Sequence, residues 1–297
     1  MFDFLKGGKV TLEVAVERPS GPYYPGETVN VTATLDTSRE LKVRSGRAAL
    51  IRQEDYEYGY ESTDSDGDTS YGTTWGQSRT PVDQQEFLGE TVFPNDTHQT
   101  YDFTFSLPPT AAPTGSGSIF RLKWLVEIAL DRKLAGDVNG EAEVVVASTP
   151  PGQAITPGEY GQGQSNEPDQ ADVTFYLPGQ EWLPGQTIAG ELRIYPHKAF
   201  TASELRLELI RHESVPYDEG NTDDTVAVKV KLADKVQFNA EEPLGCPFQI
   251  TLPADAVPST EGDWGAITWY LKGILARTLR SDTYGETEIK VYSGRSG

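Results

Sequence analysis

"YPGETV" at Tyr24–Val29 returns as "LPGQTI" at Leu183–Ile188. Pro-Gly alone marks only a turn, because proline presets φ and glycine tolerates the positive φ that follows. Its surroundings return with it. "LIR" stands at Leu50–Arg52 and again at Leu209–Arg211, and both motifs share one offset, 184 − 25 = 211 − 52 = 159. Farther along, "FTFSLP" at Phe103–Pro108 answers "FQITLP" at Phe248–Pro253, and "DVNGEAEVVV" at Asp137–Val146 answers "DTYGETEIKV" at Asp282–Val291. Here the offset is 248 − 103 = 282 − 137 = 145. A spacing held across several elements is the mark of a duplicated unit. The fall from 159 to 145 places 14 extra residues in the first unit, within "QEDYEYGYESTDSDGDTSYGTTWGQSRTPVDQQE", Gln53–Glu86.

The periodicity inside each unit is two. Leu12, Val14 and Val16 alternate with Glu13, Ala15 and Glu17, and Leu122, Trp124, Val126, Ile128 and Leu130 do the same. In the second unit Leu205, Leu207 and Leu209, then Val226, Val228, Val230 and Leu232, repeat the pattern. Side chains two apart share one face of a strand, so each run has a buried face and a wet one. Short alternating strands between Gly, Pro, Asn and Asp turns predict an all-β chain of two tandem antiparallel β-sandwich domains. The expected boundaries are residues 1–148 and 172–297. Thr149–Ala171, rich in Pro, Gly and Gln and without apolar period, reads as a linker.

Composition narrows the function. The chain of 297 residues carries 45 acids against 25 bases, a formal charge of −20. Binding to nucleic acid or anionic lipid through general charge is disfavoured, since both need clustered Lys and Arg. The single cysteine, Cys246, excludes an internal disulfide framework. "MFDFLKGGKV" has no signal-peptide apolar run and no stretch reaches the length of a membrane span, so the expectation is a cytoplasmic protein. Phe2, Phe4 and Leu5 are expected to cap the first sandwich, dock a partner or fray.

The order of these motifs resembles the arrestin-like clan. "YPGETV", a long polar excursion, "FTFSLP" and "FRLKWLVEIALDRKLAGDVNGEAEVVV" look like an arrestin-type N-domain. "WLPGQTIAGELRIYP", "LRLELIRHE", "CPFQITLPADAVPSTEG" and "ITWYLKGILARTLRSDTYGETEIKV" look like the matching C-domain. The opening "FLKGGKVTLEV" is most similar to bacterial sporulation-control-type members. The resemblance implies two tandem immunoglobulin-like (arrestin-type) antiparallel β-sandwich domains packed end to end in a non-enzymatic adaptor or scaffold that binds proteins. Phospho-receptor recognition is not carried over: "KVTLEVAVE" has one Lys and no paired basic residues.

No catalytic constellation emerges. The three histidines, His98, His197 and His212, read as turn or strand-end residues; Cys246, ahead of Pro247, reads as a small buried hydrophobe. No glycine pattern for a nucleotide is present, and no cofactor is expected. "DSDGD" at Asp64–Asp68 has the alternate carboxylates that calcium favours, but the EF-hand positions for Gly and Glu hold Thr69 and Trp75. The insertion itself is acidic and aromatic. Glu54, Asp55, Glu57, Glu61, Asp64, Asp66, Asp68, Asp83 and Glu86 face Arg79 alone, and "YEYGY" alternates like a strand. It predicts an extended hairpin whose Tyr56, Tyr58, Tyr60, Asp64, Asp66, Asp68, Tyr71 and Trp75 recognise a protein with a basic surface. The rival reading is a carbohydrate- or calcium-dependent sandwich module.

Overall fold

A computed structural model describes residues 10–19, 21–65, 67–133, 136–148, 157–161 and 165–293. Phe2, Phe4, Leu5 and Asp66 therefore lie outside the described residues. The described residues are all-β, built as two tandem sandwiches.

In the first unit, β1 (Val10–Val16), β2 (Thr28–Thr37) and β7 (Thr97–Ser106) form one sheet in the order β1-β2-β7. The facing sheet runs β10-β9-β4-β5, from β10 (Val138–Val144), β9 (Phe120–Asp131), β4 (Ser45–Thr63) and β5 (Thr69–Leu88), with β8 (Gly115–Ser116) added on β9. The short pair β3 (Leu41–Val43) and β6 (Thr91–Phe93) closes the far end over a small cluster of Leu35, Leu41, Val43, Phe93 and Leu130. Alternation explains the core. Val29, Val31, Ala33 and Leu35 of β2 are buried, as are Phe103 and Phe105 of β7, and they meet Leu50, Leu122, Trp124, Val126 and Ile128 from the other sheet.

The second unit repeats this. One sheet is β11-β12-β14-β17, from β11 (Gly158–Tyr160), β12 (Ala171–Leu177), β14 (Thr187–Pro196) and β17 (Leu244–Thr251). The other is β13-β20-β19-β15-β16, from β13 (Glu181–Trp182), β20 (Thr283–Val291), β19 (Ala266–Ala276), β15 (Phe200–Val215) and β16 (Asn221–Phe238), with β18 (Thr260–Glu261) on β19. Its core holds Phe175, Leu192, Leu207, Leu209, Phe248, Trp269 and Leu271.

The duplication reaches the level of hydrogen-bond register. Thr28 pairs with Ser106 in the first unit. Their equivalents by the two sequence offsets, Thr187 and Thr251, pair in the second. Val31 faces Phe103 as Gly190 faces Phe248. The two core tryptophans correspond as well: Trp124 donates its indole N–H to Ala112 O at 3.0 Å, and Trp269 donates to Val257 O at 2.9 Å. The repeated "NGE" and "YGE" glycines share one purpose. Gly140 passes the backbone carbonyl of Leu12, and Gly285 passes that of Val173, each so closely that no side chain fits between strand and strand.

One expectation needs correcting. The stretch Thr149–Ala171 is not all linker. Gly158–Tyr160 forms edge strand β11 on β12, and Asn166 and Glu167 are tied to the last hairpin, Asn166 through Tyr284 N–H at 2.7 Å and Glu167 through Arg277 at 2.8 Å. A three-residue strand among glycines offers no period to detect.

Candidate functional site

The two units meet through the end of the repeated "LIR" strand. Two positions past each copy of the motif stands a glutamate, Glu54 in the first unit and Glu213 in the second. They are equivalent by the same offset as the motif, and both are fully buried. Glu213 reaches into the first unit and accepts three backbone N–H groups, from Ser118 at 2.8 Å, Ile119 at 2.9 Å and Phe120 at 3.2 Å. Glu54 reaches into the second unit and accepts the N–H of Trp264 at 3.0 Å. Ile119 and Trp264 are themselves equivalent by the second offset. Each unit therefore caps the same loop of the other.

The arginine two positions upstream completes each half. Arg211 lies 2.9 Å from Glu213 and donates to Ser118 Oγ at 2.8 Å; Arg52 lies 3.0 Å from Glu54 and pairs with Asp263. Arg52 Nε makes no hydrogen bond, so its approach to Glu54 is ionic alone. Gly117 and Gly262, again equivalent, sit where any Cβ would collide with the Glu213 and Glu54 carboxylates. A third reciprocal contact joins Ser148 and Ser293: each backbone N–H donates to the other's hydroxyl, at 3.0 and 2.9 Å. The junction has the self-complementary character of a two-fold dimer interface, made within one chain. The apolar core follows it across, with Val215 and Ile267 of the second unit joining the first unit's cluster.

Beside this junction lies a groove of about 750 Å³ lined by Pro25, Ser148, Glu181, Thr260, Lys290 and Tyr292, among others. Tyr292 is buried there and hydrogen-bonds Glu181 at 3.1 Å. Burial first, then the Glu181 carboxylate, pushes its phenol from 10.0 up to about 12. A raised folded pKa means stability present below the unfolded pKa and lost above it. The protein is expected to lose stability as pH rises from about 10 to about 12, and Tyr292→Phe should flatten that loss in denaturation curves taken across the window. A variant with an unchanged pH slope would show that Tyr292 is not the group responsible.

The 14 extra residues are a hairpin extension. β4 and β5 pair without break from Gln53↔Arg79 to Thr63↔Thr69, whereas β15 and β16 end at Val215↔Asn221. Removing the two offsets maps Val215 onto Tyr56 and Asn221 onto Gly76, a pair in register. Each strand of the first hairpin thus continues seven residues further, 57–63 and 69–75. The extension runs alongside the second unit's shorter turn: Gly59 N–H donates to Gly220 O at 3.0 Å, Glu219 N–H donates to Gly59 O at 3.3 Å, and Asn221 Nδ2 donates to Glu57 O at 3.2 Å.

This docking divides the eight expected recognition residues. Tyr56 is buried, stacked on Trp264 with centroids 5.0 Å apart and edge-on to Tyr217; burial raises its phenol pKa. Tyr58 is half-buried against Tyr217 at 4.7 Å. Both are expected from sequence to meet a partner, and both instead meet the other unit. Their inward turn depends on the opposing loop, which strand alternation does not reveal. Tyr60 and Trp75 are exposed, at 36% and 44%, and Tyr71 is more open still, at 74%. Arg121 lies over the Trp75 ring, 4.7 Å from its centroid. At the tip Asp64 and Asp68 are exposed, and Asp64 Oδ1 accepts the N–H of Asp68 at 3.0 Å, closing the turn around Gly67 at φ 89°. Among the described residues, no group of three or more His, Cys, Asp or Glu side chains is placed to hold a metal.

The remaining candidates have structural partners. His98 lies on β7, not in the preceding turn, and contacts Asp36 at 2.7 Å; His197 contacts Asp172 at 3.1 Å and His212 contacts Asp224 at 2.6 Å. Cys246 is half-buried on β17, and burial pushes its thiol up.

Residues 6–151 match the family model for the arrestin (or S-antigen) C-terminal domain. The first unit is arrestin-like. The matching domain type differs from the expectation, which gave an N-domain likeness to this unit and a C-domain likeness to the second. With register, core tryptophans and capping glutamates shared between the units, the N/C distinction is weakly encoded in either half. No curated protein matches the chain. Arrestin-type domains serve generally as adaptors that bind other proteins. No helix among the described residues is long and apolar enough to cross a membrane.

Proposed function

We propose that this chain is a non-enzymatic adaptor or scaffold that recognises a basic protein surface through the outward face of its long hairpin. In keeping with its resemblance to sporulation-control-type members, it works in the bacterial cytoplasm in sporulation or stress-related control. The observation that carries the reading is the two-sided extension. Tyr56 and Tyr58 glue one face to the second unit, so the ribbon is held at a fixed angle. The opposite face and tip present Tyr71, Trp75, Glu57, Glu61, Asp64 and Asp68, with Tyr60 at the margin and Asp66 in the tip sequence. Rigid aromatic contact area beside carboxylates suits Arg- and Lys-bearing partners.

The test is capture from the source cell with three baits: wild type, Tyr71→Ser with Trp75→Ser, and Asp64, Asp66 and Asp68 all to Asn. A specific partner should be lost from both variants while their melting temperatures stay near wild type, because exposed loop charges contribute little to folding. Association should also slow above about 0.15 M salt, where the Debye length is about 8 Å. A partner retained equally by all three baits contradicts the reading. Stabilisation by millimolar calcium in the wild type, absent from the triple Asn variant, would replace it with the metal-dependent one.

A further inference from the structure

At the end of the second unit away from the junction, a cavity of about 710 Å³ is lined by Lys198, Lys235, Arg277 and Arg280 and, among the described residues, by no acid. In a chain with 45 acids and a net charge of −20, four cations gathered without a carboxylate on the wall need a reason. Like charges held together oppose the compact state. Only Arg277 is neutralised: it is nearly buried, pairs with Glu167 at 2.8 Å, and lies 5.4 Å from the Phe200 ring centroid. Lys198, Lys235 and Arg280 have no ion-pair partner among the described residues. The rest of the wall supplies hydroxyls and an amide, from Thr201, Ser203, Thr278 and Gln170.

One backbone position on this wall is strained. Lys235 sits at φ 49°, where a side chain rarely resides, at the point where the ladder between β15 and β16 skips the Ser203 position. Strained conformations at non-glycine residues persist where the surroundings enforce them, and they concentrate at binding sites. By the same offsets the first unit keeps Arg39 and Arg132 at the positions of Lys198 and Arg277 but has Glu90 and Ala135 at those of Lys235 and Arg280, so the full set of four cations occurs in the second unit alone.

We infer that this cavity is an anion site for a phosphate-class oxyanion, carried either by a soluble phosphorylated small molecule or by a lipid headgroup. Guanidinium forks match the paired oxygens of such a group, and lysine ammoniums add point charge. The cavity exceeds the size of a lone phosphate, which leaves room for the body that carries it. Leu279, between Thr278 and Arg280, is 99% exposed at φ 61°, and it distinguishes the two sources.

The test is calorimetric titration of the full chain with sodium pyrophosphate at matched ionic strength, beside flotation with phosphatidylcholine vesicles with and without a phosphoinositide. The site variant is Lys198→Gln, Lys235→Gln and Arg280→Gln together. The control, Arg39→Gln, Lys42→Gln and Lys133→Gln, removes the same charge from the other unit. Wild type and control are expected to bind pyrophosphate, and the site variant to bind about tenfold or more weakly, a loss of about 1.4 kcal/mol or more. A soluble source leaves all vesicles unbound. A lipid source gives phosphoinositide-dependent flotation that the site variant loses and Leu279→Ser weakens without altering pyrophosphate binding. No pyrophosphate binding at millimolar concentration by the wild type, or equal loss in the control, overturns the inference.

Discussion

Glu213→Ala is expected to destabilise the protein by about 3–5 kcal/mol, the range for removing one partner of a buried, hydrogen-bonded ion pair. The effect is large because the side chain serves four groups at once. The N–H groups of Ile119 and Phe120 lose their acceptor in a buried place, that of the more exposed Ser118 loses it too, and Arg211 loses its counter-charge. Unpaired buried donors cost about 1–3 kcal/mol each when water cannot reach them. Glu54→Ala should cost less, since it caps a single N–H, that of Trp264, and Arg52 keeps Asp263 as a second partner. Denaturant titration of the two variants should rank Glu213→Ala as the more damaging. Equal, small losses below about 1 kcal/mol would mean the junction is held by its apolar contacts alone.

The second large effect is expected at Gly285. A methyl group there would press on the backbone carbonyl and Cβ of Val173, and neither can swing aside as the tip of a long side chain would. Overpacking of this kind costs about 1–3 kcal/mol, and a backbone obstacle places Gly285→Ala at the upper end. Gly140→Ala, against the Leu12 carbonyl and the Val14 side chain, should behave alike. By contrast Gly136→Ala meets nothing within 4 Å and should change the melting temperature little. Similar melting temperatures for all three would show that the strands separate easily at these crossings.

Much of the fold was legible because it is written twice. The alternating runs predicted the strands, and the difference between the two offsets located an excess that the structure shows as seven added residues on each strand of one hairpin. The site was less legible. "LIRQE" and "LIRHE" both end in the capping glutamate, yet in sequence Glu54 looks like one more acid of a polar insertion. Its burial is decided by an N–H on a loop of the other unit, far along the chain, which no local pattern reports. A repeated acid at equal positions in two otherwise diverged units was the available signal. Tyr56 and Tyr58 were misplaced for the same reason: their alternation shows that they share a face, and only the opposing Tyr217 and Trp264 determine that this face is covered.

The central claim is that the two halves are joined by one contact made twice, each carboxylate capping the other unit's loop. Amide hydrogen exchange resolved to single residues tests it most directly. In the wild type the amides of Ser118, Ile119, Phe120 and Trp264 should all exchange slowly. Glu213→Ala should release Ser118, Ile119 and Phe120 in the first unit, and Glu54→Ala should release Trp264 in the second. Fast exchange at these amides in the wild type, or deprotection confined to the unit that carries each substitution, would contradict the account.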